Sequence, residues 1–236
     1  MSESTNLFEE KSDEMGNKAC HVAVVVSPVK KATIQLINTD CLPFMKQCSD
    51  KQFDLAIVDP PYGIGAGSKN FAIRGKFKEY HRDNDWDKAI PEAPYFEELL
   101  RISKNQIIWG GNYFTEYLKP SMGWVYWDKL NGEFSLADGE LAWTSFQRAL
   151  RSYKKSVASI QDRRHPTQKP IELYKWLLHT YAKPGDKILD THLGSGSIAL
   201  ACEEYGFDLT ATEIDQEYFA AASKRLSEYQ MQKRLF

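Results

Sequence analysis

An excess of charge is the first thing this chain lacks: 30 Lys and Arg stand against 32 Asp and Glu, a formal net charge of -2 over 236 residues. That balance excludes a global attraction to nucleic acid or to an acidic surface, so any basic face has to be local. Cysteine is scarce. Cys20, Cys41, Cys48 and Cys202 form no CxxC pair and no metal-ligand spacing with histidine. A disulfide framework and a zinc site are therefore not expected, and reduced thiols in a cytoplasmic protein are. Long hydrophobic runs are missing as well. The aliphatic run Val22 to Val26 is far too short to cross a bilayer, and the acidic residues ahead of it are unlike a secretion signal. No membrane partner is expected.

What is present is the composition of a folded domain, 42% hydrophobic and 26% charged. Residues 1–30, which open with a polar and mostly acidic stretch, read as a flexible tail, and 31–236 as a single domain. Within it, apolar runs rich in β-branched and aromatic residues alternate with helical spacing. The runs Thr33 to Asn38, Leu55 to Val58, Gln106 to Gly110, Gly123 to Trp127, Glu140 to Trp143, Lys187 to Asp190 and Asp208 to Glu213 predict seven strands. Spacings of three and four predict helices over Pro91 to Ser103, Pro170 to Tyr181, Ser197 to Tyr205 and Gln216 to Tyr229. Pro91 and Pro170 fit first-turn positions, and Gly206 fits a helix stop. This alternation predicts an α/β fold of Rossmann type, a mostly parallel seven-stranded sheet with helices on both faces.

Two segments interrupt the pattern. Residues 63–89 are long, dotted with glycine, and carry Lys69, Arg74, Lys76, Lys78 and Arg82; residues 147–169 carry Arg148, Arg151, Lys154, Lys155, Arg163, Arg164 and Lys169. One such run alone is an ordinary solvated face. Two in a nearly neutral chain predict insertions that contact phosphates.

The stretch KILDTHLGSGSIALACEEYGFDLTATEID reads strand, glycine turn, helix, strand, acid. Gly194 and Gly196 allow a tight turn and close approach of a ligand to the backbone. Glu213 ends the next strand, where a carboxylate can accept hydrogen bonds from both hydroxyls of a ribose. The loop lacks the third glycine of the dinucleotide pattern and the Gly-Lys-Ser of a phosphate loop. A single nucleoside with a small appendage fits better than a pyrophosphate.

The stretch LAIVDPPYGIG sets Asp59, Pro60, Pro61 and Tyr62 at the carboxyl end of a strand, where α/β sheets bind their ligands. Proline fixes φ and removes an amide donor. The Asp59 carboxylate and the Pro60 carbonyl thus become fixed acceptors beside the flat face of Tyr62. That set suits the exocyclic amine of a base, whose lone pair is delocalised into the ring. Accepting both its hydrogens draws the nitrogen toward tetrahedral geometry and frees the lone pair for attack.

With DPPY standing ahead of the glycine loop, the chain resembles the S-adenosylmethionine-dependent amino-methyltransferases of DNA, in their permuted order, from about Ile34 to Leu226. The resemblance implies a methyltransferase domain, and its DPPY form implies adenine N6 where an SPPY form would imply cytosine N4. Catalytic roles fall to Asp59, Pro60, Pro61 and Tyr62. The segment INTDCLPFM places Asp40 and Cys41 at the cofactor adenine. HPTQKP lines the methionine end with His165, Thr167, Gln168 and Lys169. DTHLGSGS, similar to the family's DPFxGSGT, supplies Asp190, His192, Gly194, Ser195, Gly196 and Ser197, and departs from it at Thr191 and His192. TEIDQEY supplies Glu213 and Ile214 at the ribose, and Asp59 also borders the cofactor. Trp109, Asn112, Trp127 and Asp128 fall in further family-like segments, the tryptophans as core.

The implied reaction flips an adenine out of double-stranded DNA and displaces the sulfonium methyl directly onto N6, without a covalent enzyme intermediate and without a metal. Alternatives are cytosine N4, RNA adenine, or a non-catalytic nucleic-acid-binding subunit of the same fold; an amide acceptor fits less well with aspartate before the prolines. A homodimer, common among similar proteins, and a companion restriction nuclease are further partners that the resemblance allows.

Overall fold

A computed structural model of the chain describes residues 31–65, 87–131, 137–156 and 168–233. The expected tail, the greater part of the first basic segment (residues 66–86) and residues 157–167 of the second lie outside the described residues. The elements run β1 (Ile34–Asn38), α1 (Cys41–Gln47), β2 (Phe53–Val58), α2 (Ala93–Ile102), β3 (Ser103–Trp109), β4 (Trp124–Asp128), β5 (Gly139–Thr144), β6 (Arg151–Lys154), α3 (Ile171–Tyr181), β7 (Lys187–Asp190), α4 (Ser197–Tyr205), β8 (Asp208–Glu213) and α5 (Gln216–Lys233).

Among the described residues all strands join one sheet in the order β1-β8-β7-β2-β3-β5-β4-β6, eight strands rather than the expected seven. Only β5 runs against the others, pairing antiparallel with both β3 and β4. The extra strand, β6, falls inside the segment expected to be a phosphate-contacting insertion. Its sequence RSYK is polar because it is an edge strand, held through backbone pairing with β4. Its one large ring, Tyr153, lies 5.3 Å from Trp176 of α3. Helix α1 was also absent from the periodic pattern, since seven residues are too few to show a period. Its start is fixed by Asp40, whose side chain accepts the Leu42 amide at 2.9 Å.

Alternation within the strands builds two cores. Leu55, Ile57, Ile107 and Trp109 face α3, α4 and α5, while Ala56, Val58 and Ile108 face α1 and α2. Trp109 and Trp127 are fully buried core residues whose rings meet edge to face, as the tryptophans were expected to be. Two proline assignments change. The first-turn proline of α2 is Pro94, with Pro91 upstream of the cap Glu92. Pro170 is the residue before α3, because its ψ of 144° is extended and helical geometry begins at Ile171. Gly206 does end α4, at φ 78°, donating its amide to the Cys202 carbonyl.

Helix α2 leads from β2 to β3 on one face, and α4 leads from β7 to β8 on the other. Neighbouring parallel strands β2 and β7 therefore send their chains in opposite directions. A crevice opens at their carboxyl ends, the place where open α/β sheets bind ligands. The helix that backs this crevice is α3, and Leu177 is its fully buried centre. Leu177→Ala is expected to cost about 2–5 kcal/mol of stability, measured by chemical denaturation.

Candidate active site

Three acids stand at the carboxyl ends around the switch point: Asp59 just after β2, Asp190 closing β7 and Glu213 closing β8. The strand register puts them there. β2 pairs Ala56 with Leu189 of β7, and β7 pairs Asp190 with Ala211 of β8.

The DPPY turn is held from three sides. Asp87, itself buried, accepts the amides of Tyr62 at 2.7 Å and Gly63 at 2.9 Å through one carboxylate oxygen. The Tyr62 ring packs against the glycine pair after β3, where a Cβ on Gly110 would lie 2.2 Å from the ring. Gly110 also has φ 70°, so glycine is required there twice over. Tyr113 stacks on Tyr62 with ring centroids 5.1 Å apart and planes 14° from parallel, and Phe114 meets the same ring edge-on. The Tyr62 hydroxyl donates to Asp59 Oδ1 at 2.6 Å. Pro60 is buried and Pro61 half-buried.

The second Asp59 oxygen, Oδ2, receives Lys169 Nζ at 2.5 Å. The same ammonium lies 3.0 Å from Glu140 Oε2, and the other Glu140 oxygen is 2.5 Å from Lys129 Nζ. Burial penalises the Lys169 ammonium, but Asp59 and Glu140 outweigh it, so its pKa is raised and it stays charged. The two carboxylates then diverge. Burial also works against Glu140, yet Lys169 and Lys129 hold its pKa below the usual range. Burial and the negative charge of Glu140 act against the Asp59 carboxylate, and among the described residues Lys169 and the Tyr62 hydroxyl favour it without outweighing them, so its pKa is raised.

In the glycine loop after β7, Gly194 and Gly196 have φ of 51° and 74°, and Gly196 caps α4. A Cβ on Gly196 would press on Ala222 of α5 at 3.0 Å, whereas one on Gly194 would meet almost nothing, leaving that surface of the loop open. Glu213 pins the loop: Oε2 accepts the Gly194 amide at 2.8 Å and Oε1 the Asp215 amide at 2.9 Å. Burial raises its pKa in spite of those bonds. Arg225 of α5 ties the same loop from behind, donating to the Ser195 carbonyl at 2.8 Å and to Ser197 Oγ at 3.2 Å. Asp190 accepts the His192 amide at 3.0 Å, yet burial pushes its pKa up to about 8, with the charges of Asp59 and Glu213 adding to the effect.

Thr191 and His192 turn out to be a polar replacement for packing. The Thr191 hydroxyl lies 2.7 Å from the Tyr95 hydroxyl and 2.9 Å from His192 Nδ1, and Tyr95 meets the imidazole edge-on. Burial lowers the His192 pKa to about 4, so the ring is neutral and packs as an aromatic would.

Of the other expected residues, Asp40 caps α1, and the half-buried Cys41 follows it with its thiol pushed up to about 12, first by burial and then by Asp40. Ile214 is 68% exposed beside Glu213, an apolar surface at the rim of the crevice. Gln168 is buried next to Lys169. His165 and Thr167 lie outside the described residues. Asn112 is exposed in the turn after β3, and Asp128 ends β4.

Sequence reasoning missed Asp87, Lys129, Glu140, Tyr95, Tyr113 and Arg225. Lys169, expected at the methionine end and within a phosphate-contacting run, is instead buried on Asp59 and Glu140; a cation at a helix start opposes the helix dipole, so a buried one there requires acidic partners. Glu140, an acid within an otherwise apolar strand, was the complementary half.

A family model described as DNA methylase matches residues 107–224, half of the chain. The type II methyltransferase M.HpaI of Haemophilus parainfluenzae is 23% identical over 240 aligned residues, covering 81% of this chain and 74% of its own length. M.HinfI of Haemophilus influenzae is 24% identical, covering 82% and 68%. Among solved structures, the SAM complex of M1.HpyAVI has a TM-score of 0.56 at 22% identity, over 82% of this chain and 99% of that one. The cytosine-N4-specific PvuII DNA methyltransferase has a TM-score of 0.54 at 13% identity, over 85% and 92%. An acid-lined switch point behind a DPPY turn, on a chain matched over half its length by the family model, belongs to the N6/N4 DNA methylase family.

Proposed function

We propose that the protein transfers a methyl group from S-adenosylmethionine to the N6 amine of adenine in double-stranded DNA. The observation that carries this reading is Asp59, whose two oxygens already accept one N–H and one O–H donor, from Lys169 and Tyr62. A carboxylate so placed is a fixed acceptor for an N–H donor, and with the Pro60 carbonyl beside it the two can take the two hydrogens of an exocyclic amine.

The donor set around the crevice fits the cofactor. Asp190 and Glu213 are carboxyls that burial leaves short of compensation, and a ligand bringing positive charge and hydroxyl donors relieves both. Asp190 would face the ammonium end and Glu213 the ribose, with the open surface at Gly194 between them. When bound, the sulfonium supplies a methyl already activated for displacement.

The remaining work is done by this chain. Tyr113 now occupies one face of Tyr62, so a flipped base competes with Tyr113 for that ring. Its amine competes with the Tyr62 hydroxyl and with Lys169 for Asp59. An aryl amine is too weak an acid for Asp59 to deprotonate first. Asp59 and the Pro60 carbonyl instead orient the neutral amine for in-line attack: the N–C bond forms as the S–C bond breaks, and the proton leaves the cationic nitrogen afterwards, toward Asp59 and then water. The buried thiol of Cys202 and the raised thiol of Cys41 need no part in this.

Incubation with labelled S-adenosylmethionine and unmethylated DNA, followed by digestion to nucleosides, is expected to put the label in N6-methyladenine; label in N4-methylcytosine alone assigns the other acceptor. Asp59→Ala is expected to lower turnover by about 10²–10³-fold or more while leaving cofactor affinity within a few-fold. Survival of activity in that variant would refute the catalytic assignment.

Cofactor affinity also acquires a pH dependence. Asp190, with its pKa near 8, is protonated in the free protein at neutral pH and must ionise to pair with a cation. Binding therefore releases a proton, and affinity rises with pH below the Asp190 pKa, by at most about tenfold per unit between roughly pH 6 and 7.5. Calorimetric titration of the wild type is expected to show that slope and Asp190→Asn to flatten it. A flat profile in the wild type rules out the assignment.

A further inference from the structure

Behind Asp59 the charges alternate in a line. Asp59 Oδ2 meets Lys169, Lys169 meets Glu140 Oε2 at 3.0 Å, and Glu140 Oε1 meets Lys129. The run is neutral as a unit, which offsets the cost of placing an ammonium where only 1% of its side chain is exposed. The Trp109 ring lies 5.1 Å from the ammonium and the Tyr62 ring 5.8 Å, so aromatic faces bound the space in which Lys169 can move.

The geometry raises a difficulty for catalysis that it also resolves. A buried lysine with Asp59 as its sole partner would stay locked on the oxygen that the amine needs. Here the ammonium is shared between two carboxylates at 2.5 and 3.0 Å, so a shift of a fraction of an ångström exchanges one for the other. Glu140 is itself anchored, on β5 by its backbone pairing with Trp127 and at its side chain by Lys129.

We propose that Glu140, fixed by Lys129, is a positioning residue for methyl transfer: it draws Lys169 away from Asp59 as the base arrives, freeing Asp59 to accept the amine. The proposal rests on the reading of Asp59 as the catalytic carboxylate. Glu140 touches neither base nor cofactor in this scheme; it acts through Lys169.

The consequence for pH follows from the groups that face Asp59. Lys169, Tyr62 and Glu140 are in direct reach, with Asp190, Tyr95 and Tyr174 at longer range. Glu140 opposes ionisation of Asp59 as a like charge, and it also holds part of Lys169. Neutralising it removes the repulsion and gives Lys169 wholly to Asp59, and both changes lower the Asp59 pKa. Asp59 must be ionised to work, so the acidic limb of the kcat profile moves to lower pH.

The test is Glu140→Gln, assayed for methyl transfer across pH. The expected result is a plateau kcat reduced about tenfold or more, KM for S-adenosylmethionine within about twofold of wild type, and an acidic limb displaced to lower pH. A kcat loss with the limb unmoved would mean a structural role, and a limb shift without kcat loss would mean that Lys169 needs no relocation; either overturns the proposal. Where Glu140→Gln does not fold, Lys129→Met combined with Glu140→Gln removes one charge of each sign and is read by the same two criteria. Asp59→Ala run in parallel separates the two levels: an inactive Asp59→Ala beside an unaffected Glu140→Gln sinks this inference alone, whereas an active Asp59→Ala sinks the reading of the site.

Discussion

The ion pair between Asp59 and Lys169 joins the two halves of the molecule. Asp59 leaves the end of β2, and Lys169 comes from just before α3, distant in sequence and brought together only when the sheet and its backing helix have closed. A buried lysine cannot stand alone, since its desolvation has to be offset by acids at short range. Fixing Lys169 therefore fixes Asp59, and with it the rigid turn through Pro60 and Pro61. The Tyr62 hydroxyl and the Asp87 clasp on the Tyr62 and Gly63 amides complete the same constraint from the other side.

Among the described residues, the switch point around that pair gathers more buried acid than it neutralises. Lys169 and Lys129 pair directly with Asp59 and Glu140, while the side chains of Asp190 and Glu213 accept from backbone amides. Hydrogen bonds from amides recover part of the desolvation cost, and burial still lifts both pKa values. A site in this condition binds a cation with hydroxyl donors in preference to an anion. That preference agrees with the glycine loop, which offers an open surface at Gly194 and no lysine for a phosphate.

Much of this was legible in advance, for identifiable reasons. Strands β7 and β8 and helix α4 appeared with their bounds intact because apolar periodicity and glycine punctuation coincide there. The DPPY turn announced itself because rigidity, acceptor and ring occur in four consecutive residues. The sheet gained an eighth strand because β6 is held by backbone pairing, to which side-chain patterns are blind. Helix α1 was invisible for being short. Glu140 and Lys129 were missed for a different reason. Their importance comes from long-range contacts with Lys169, and each looks like an ordinary charged residue until the fold assembles them. Thr191 and His192 depart from the family pattern, and only the contacts with Tyr95 reveal that a hydrogen-bonded pair has replaced an apolar one.

The proposed transfer depends on the geometry between two ligand positions in one crevice, the donor against Asp190 and Glu213 and the acceptor amine against Asp59. A crystal structure of the protein with S-adenosylmethionine bound measures it directly. The expected result is the ribose on Glu213 and the sulfonium methyl pointing at the space between Asp59 and Tyr62, at the roughly 3–3.5 Å approach that a reacting nitrogen would require. A donor bound with its methyl turned away from Asp59 would contradict it.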